Sequence, residues 1–185
     1  SEKVDLCVFG GDITDGNATN KSIAVNVLTE SVNKAKKGMK VPLFNLIGNH
    51  DTNFYGWNVS NTPEQNRANS ILASEFHDIA LSHLDGQVVF DSLNPKGGYY
   101  YKDFTTHKIR VIVLNTSDYF DEDGFPLARP VDVDVRQGQF TWFCTQALNF
   151  MDKTDRSQWG VLVLSHGSLM TASGALLGSL TSPLG

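Results

Sequence analysis

VDLCVFGGDITDG (residues 4–16) and VPLFNLIGNHD (residues 41–51) decide the fold, because each is a short apolar run that breaks on glycine. Runs of this length and ending read as buried strands, over residues 4–9 and 41–47. Between them, Ala24, Val27, Leu28, Ser31, Val32 and Ala35 recur at helical spacing within residues 20–37. Asn and Thr residues lead in as caps, Lys34, Lys36 and Lys37 suit the negative C-terminal end, and Gly38 stops the helix. Strand, helix and strand in that order predict a βαβ crossover with parallel strands.

Working outward, residues 63–76 read as a second helix. Residues 87–91, 98–104 and 108–115 read as consecutive strands joined by short polar turns, an antiparallel meander. Residues 118–130 form an acidic, Gly- and Pro-bearing loop. Residues 137–151 place Phe140, Phe143, Cys144, Ala147 and Met151 at helical spacing, which predicts a helix with that face buried. Residues 160–165 predict another buried strand, and residues 167–185 are rich in small residues without an assignable pattern. Strands interleaved with helices and then a meander predict an α/β fold, a layered sandwich. No repeat or linker interrupts it, so residues 1–185 are expected to form a single domain.

Composition narrows the classes of function. A chain of 185 residues with 41% hydrophobic content can bury a core, which excludes disorder. Lys+Arg 15 against Asp+Glu 20 gives a net charge of −5, without the basic footprint of a general nucleic-acid binder. Cys7 and Cys144 are too few for a disulfide framework, and neither has a second thiol at metal-ligand spacing. No apolar run approaches the ~20 residues of a membrane span. Residues 1–5 run directly into a strand-like segment without a secretory leader pattern, so a soluble protein is expected, with the cytoplasm favoured. The N-x-[ST] triplets at Asn17, Asn20, Asn58 and Asn115 read as chance in an Asn-rich chain.

Three predicted strands exit into chemistry-bearing residues. The first leads into Gly10-Gly11-Asp12-Ile13-Thr14-Asp15-Gly16, the second into Gly48-Asn49-His50-Asp51, and the last into Ser165-His166-Gly167. Asp and Gly are turn formers and a strand-end His is commonly structural, so each alone is an ordinary loop. Ligands of α/β sheets, however, gather beyond the carboxyl ends of the strands. Carboxylate, amide and imidazole donors converging there are what a divalent metal site requires, and the mix suits Mn, Fe or Zn over Ca or Mg.

The sequence resembles the calcineurin-like metallophosphoesterases, whose signature runs D-x-H, G-D-x-x-D, G-N-H-D/E, a strand-end H and G-H-x-H. Gly11-Asp12-Ile13-Thr14-Asp15 and Gly48-Asn49-His50-Asp51 match the second and third blocks, and Ser165-His166 the fourth. Residues 99–103 before 109–115, and residues 139–142 opening a helix, resemble the family's middle. The resemblance implies a layered α/β/β/α sandwich, here incomplete at both chain ends. It implies a phosphate-ester substrate, mono- or diester, hydrolysed by a metal-bridged hydroxide. By motif, Asp12 resembles the carboxylate bridging two metals, and Asn49 and His166 resemble ligands of the second. His50 resembles the imidazole that meets the scissile phosphate or protonates the leaving oxygen, Asp51 its orienting partner, and Asp15 a supporting acid. A carboxylate can bridge metals ~3.5–4 Å apart, and one beside an imidazole fixes its tautomer.

The sequence departs from the family pattern at two blocks. No D-x-H precedes Asp12, and no histidine follows His166 within the 185 residues. Only the bridging Asp of the first metal's ligand set is present, whereas the second metal keeps Asp12, Asn49 and His166. The expectation is a catalytically impaired fragment binding one ion or none. The alternative is a non-catalytic binding module on the same scaffold. A serine esterase of the G-D-S-L kind is excluded, because Ile13 stands at the nucleophile position. His77, His83 and His107 are expected at the solvated surface. Asp118, Asp121, Glu122 and Asp123 are expected to form a solvated loop, and Tyr55 and Trp57 to pack or to touch substrate.

Overall fold

The structure is a computed structural model and describes residues 4–53, 60–117 and 133–167. Strand β1 (Cys7–Phe9) pairs in parallel with β2 (Leu43–Asn45), so the predicted crossover is present, with shorter strands. Between them runs α1 (Lys21–Gly38), started by Asn20, whose Oδ1 accepts the Ile23 N–H at 3.0 Å. Ala24, Leu28 and Val32, four residues apart, are its buried stripe. Gly38 is the last helical residue rather than the stop. Met39 caps the end by donating its N–H to the Lys36 carbonyl at 3.1 Å.

The predicted helix over residues 63–76 is two helices, α2 (Pro63–Asn69) and α3 (Ala73–Phe76). Local hydrogen bonds explain the break. The Ser70 hydroxyl donates back to the Asn66 carbonyl at 2.9 Å, and the Ile71 N–H leaves the helix for the Thr52 carbonyl at 3.0 Å. The Glu75 carboxylate then accepts the Leu72 N–H and starts α3. A π-helical turn over His77–Leu81 follows. His77 corrects the surface expectation. It is buried between Asp78 and Asp85 with its ring edge-on to Phe90, whereas His107 is exposed beside Asp5.

A four-stranded sheet has the order β3 (Val89–Phe90), β4 (Tyr100–Phe104), β5 (Ile109–Leu114), β6 (Gly160–Ser165). The first three form the predicted antiparallel meander, and β6 joins β5 in parallel with Leu114 opposite Ser165. Side chains alternate across this sheet and fill two separate cores. Val111, Val113 and Tyr100 pack with Phe44, Leu46, Ile47 and the α1 stripe, and Phe44 meets Tyr100 edge-on at 5.4 Å. Ile112, Leu114 and Tyr99 pack the other way, on Trp142 and Ala147. Fully burying each such side chain stabilises by roughly 1.5–3 kcal/mol. Helix, sheet, sheet and helix are thus stacked by the period-two pattern of β4 and β5.

Trp142 and Ala147 belong to α4 (Val133–Trp142) and the π-helical turn that extends it over Phe143–Ala147. The predicted buried face is kept only at Ala147 and, half-buried, at Phe143. Gln139, Trp142 and Ala147 are buried, while Phe140, Cys144 and Met151 are exposed. Trp142 takes the core position, its ring tilted against Tyr99 with centroids 4.9 Å apart, and the π-helical turn beyond it shifts the phase of the residues that follow. Strand β6 was expected buried. It is instead an edge of the described sheet, with Val161 and Leu162 nearly half exposed. Among the described residues, no helix is long and apolar enough to cross a membrane.

At the start of β5, Arg110 is buried and makes four hydrogen bonds. Nε and Nη2 donate to both oxygens of Asp103 at 2.6 and 2.9 Å, and Nη1 donates to the Ala147 and Asn149 carbonyls. Its guanidinium lies 4.1 and 4.3 Å from the ring centroids of Tyr101 and Phe150. Burial pushes the Asp103 carboxyl up, but Arg110 and Lys153 more than reverse this and hold it below its ordinary range.

Candidate functional site

Beyond the ends of β1 and β2 the chain bends sharply twice. Gly11 has φ +92° and Asp12 has φ 55°, a left-handed conformation that costs a non-glycine residue energy. Gly48 packs against this bend so closely that a Cβ there would collide with the main-chain N and Oδ1 of Asp12. Gly16, also left-handed at φ +68°, sits equally close to the His50 main chain. The glycines of the two motifs let two loops touch backbone to backbone, which a side chain at either position would prevent.

Asp51 holds the loops in that contact. It is fully buried, and its Oδ1 accepts the N–H groups of Ile13 at 2.7 Å and Thr14 at 3.1 Å, while Oδ2 accepts that of Gly48 at 2.9 Å. Burial pushes its carboxyl up to about 6, against the opposing pull of these three N–H bonds. Asn53 makes a second clip, with φ 59°. Its side chain accepts the Ala18 N–H and donates to the Ala18 and Asn69 carbonyls.

The expected contact from Asp51 to the His50 ring is replaced by another. His50 Nδ1–H donates to the main-chain carbonyl of Asp15 at 2.6 Å. The Asp51 oxygens are occupied by the neighbouring main-chain N–H groups. A ring nitrogen committed to a carbonyl fixes the tautomer as a carboxylate would, and leaves Nε2 facing Asp12 Oδ2 at 3.9 Å. Asp15 thus meets His50 through its main chain. The His50 and Asp12 side chains are each about one-third exposed, so this edge opens to solvent.

His166, 154 residues beyond Asp12, enters from the end of β6. Its Nδ1–H donates to the Gly10 carbonyl at 2.8 Å, which turns Nε2 inward. Nε2 lies 2.9 Å from Asn49 Oδ1 and 3.3 Å from Asp12 Oδ1. Asp12 Oδ1 also accepts the His50 N–H at 3.1 Å. One nitrogen and two oxygens therefore point lone pairs into a common space, an arrangement relieved by a proton on Nε2 or by a cation among the three. The chemistry of this donor set fits a divalent ion. Among the described residues there is no cluster of three His, Cys, Asp or Glu suited to a metal, and the third atom of this set is the Asn49 amide oxygen.

The structure thus brings Asp12, Asn49, His50 and His166 to one edge and places Asp51 beneath them. Reading the sequence missed Asn53, Thr116 and the Gly10 carbonyl. After glycine, Asn best tolerates a left-handed turn, which is a signal for Asn53, but nothing local marks Thr116 or Gly10. Tyr55, Trp57 and the acidic run at Asp118, Asp121, Glu122 and Asp123 lie outside the described residues. A family model described as calcineurin-like phosphoesterase matches residues 1–164. No match was found among curated proteins or among solved structures. The chain belongs to the calcineurin-like phosphoesterase family, whose members are metal-dependent phosphoesterases.

Proposed function

We propose that, within this family, the edge formed by Asp12, Asn49, His50 and His166 binds a phosphate ester and a divalent metal ion and supports hydrolysis of the ester. The observation that carries the reading is the convergence of Asn49 Oδ1 and Asp12 Oδ1 on His166 Nε2, at 2.9 and 3.3 Å. These three residues would hold the ion, which when bound supplies Lewis-acid polarisation of phosphoryl oxygens and a water of lowered pKa. Mn, Fe and Zn suit the mixed oxygen and nitrogen set.

The chain's own residues divide the remaining work. The Gly10 carbonyl fixes the His166 tautomer so that Nε2 faces inward. The Asp15 carbonyl does the same for His50, whose Nε2 sits at the open edge where it can hold a proton for a leaving oxygen. Asp51 fixes the spacing of the two loops through their main chains rather than acting on substrate. Among the described residues this donor set would serve one ion, and a complete pair would need further ligands of the D-x-H and G-H-x-H kind. Turnover by this chain is accordingly expected to be low for phosphomonoesters and diesters alike.

Calorimetric titration with Mn2+, alongside turnover of a chromogenic aryl phosphate, tests the reading. Binding abolished by Asp12→Ala and by His166→Ala supports it, and tight binding that survives both variants places the metal elsewhere. A second reading on the same scaffold is a binding module that holds metal and phosphate without turnover. Metal binding with no turnover, even in a longer form carrying both blocks, would establish that alternative.

A further inference from the structure

The ladder between β5 and β6 ends at Leu114 and Ser165, one residue short of His166. The imidazole therefore stands on backbone that the sheet no longer holds. Beyond the ladder a side chain takes over. The Thr116 hydroxyl, on the segment leaving β5, accepts the Gly167 N–H at 2.7 Å, and Thr116 is itself buried. On the same residue, the Gly167 carbonyl accepts the Ser165 hydroxyl at 2.8 Å. Both main-chain groups of Gly167 are thus engaged immediately after His166. The approach is close, since a Cβ on Gly167 would lie 3.1 Å from Thr116 Oγ1.

Thr116 is in turn held from the second core. The Gln139 side-chain amide grips the main chain of Asn115 at both ends, accepting its N–H at 2.7 Å and donating to its carbonyl at 2.8 Å. The Asn115 side chain donates to the Gly97 carbonyl and accepts the Ser117 N–H. Four hydrogen bonds on the residue before Thr116 leave its hydroxyl little freedom to wander. A short chain of contacts thus runs from α4, through the exit of β5, to the backbone beside His166.

We propose that Thr116 is a positioning residue for His166: its hydroxyl replaces the missing ladder bond and sets the imidazole so that Nδ1 reaches Gly10 and Nε2 reaches Asn49. This rests on reading His166 as a metal donor, but the ring placement itself can be observed without metal. Partners that orient a ligand from behind commonly change metal affinity by 10–100-fold when removed.

The test compares Thr116→Val, which keeps the shape and loses the acceptor, with Thr116→Ser, which keeps the acceptor. Thr116→Ala is the second acceptor-free variant should valine prevent folding. Two readouts are taken on the full 185-residue chain: Mn2+ affinity by calorimetry, and the His166 ring tautomer by long-range 1H–15N spectra of the metal-free protein. Expected is a roughly 10–100-fold loss of Mn2+ affinity and a mixed tautomer in the acceptor-free variants. Serine should restore wild-type behaviour in both. A lowered melting temperature with an unchanged tautomer, or an unchanged His166-dependent Mn2+ affinity, overturns the proposal. Should the wild type bind no Mn2+, or bind it equally after His166→Ala, the metal reading fails, and the tautomer alone then decides the role of Thr116.

Discussion

Strand β5 has a cluster of charged and polar groups at each end, and the two clusters are opposites. At its start, Arg110 has Asp103, two carbonyls and two aromatic rings around it, and four of its N–H donors meet acceptors. Past its other end, ~13 Å along the strand, Asn49 Oδ1 and Asp12 Oδ1 both face His166 Nε2, where acceptors meet with no donor supplied by the Nδ1-protonated ring. The first cluster centres on a buried guanidinium, whereas the Asp12 and His50 side chains of the second are each about one-third exposed. A polar cluster that satisfies itself stabilises the fold. One whose acceptors converge on a single ring nitrogen holds its geometry through backbone braces, here Asp51, Asn53 and Thr116, and lies at an edge open to a ligand.

Substitutions can break this contrast, and the largest effect is expected at the open cluster. In a longer form carrying the D-x-H and G-H-x-H blocks, His50→Ala should lower kcat toward an aryl phosphate by roughly 10²–10⁴ if the imidazole donates a proton, while the melting temperature stays near that of the unsubstituted form. Unchanged turnover relative to that form would remove His50 from the chemistry.

Next comes the Arg110 cluster, where the loss should appear in stability instead. Asp103→Ala leaves a buried guanidinium without its carboxylate and should cost about 3 kcal/mol, read by urea denaturation, with Mn2+ affinity unaltered. A stability change below about 1 kcal/mol would place this pair with surface ion pairs and erase the contrast.

The same pair predicts a pH window. Because Arg110 and Lys153 hold the folded-state pKa of Asp103 below its ordinary 3.8, its contribution is full above that value and is lost as pH falls through the lower folded value. The gap in melting temperature between wild type and Asp103→Asn should therefore be steady from neutral pH to about 5 and narrow below about 4. A gap that widens in acid would reverse the assigned sign.

The smallest effect sharpens the comparison on the open side. Asn20 caps α1 just after the Asp12 loop, through one exposed hydrogen bond. Asn20→Ala should cost about 1 kcal/mol and leave metal affinity alone, because Asp51 and Asn53, rather than the cap, lock that loop. A matching loss of Mn2+ affinity would make the helix start part of the site.

Much of this was legible in the residues themselves. The parallel pair, α1, the meander and β6 follow from periods of two and 3.6 broken at glycine, since apolar spacing is a local property that burial merely reads out. Gly11, Gly16 and Gly48 mark close backbone approaches, and the two motifs they frame, with His166, name the residues that gather at the site. What the sequence could not determine is what depends on partners distant along the chain. Helix 63–76 breaks because the Ile71 N–H finds Thr52, and the face of α4 turns because Gln139 finds Asn115. Asp51 serves main-chain N–H groups 37 and 38 residues away instead of its neighbour His50, and Thr116 meets Gly167 across 51 residues. A hydrogen bond is decided by which donor and acceptor are left facing each other after packing, and only the tertiary structure fixes that.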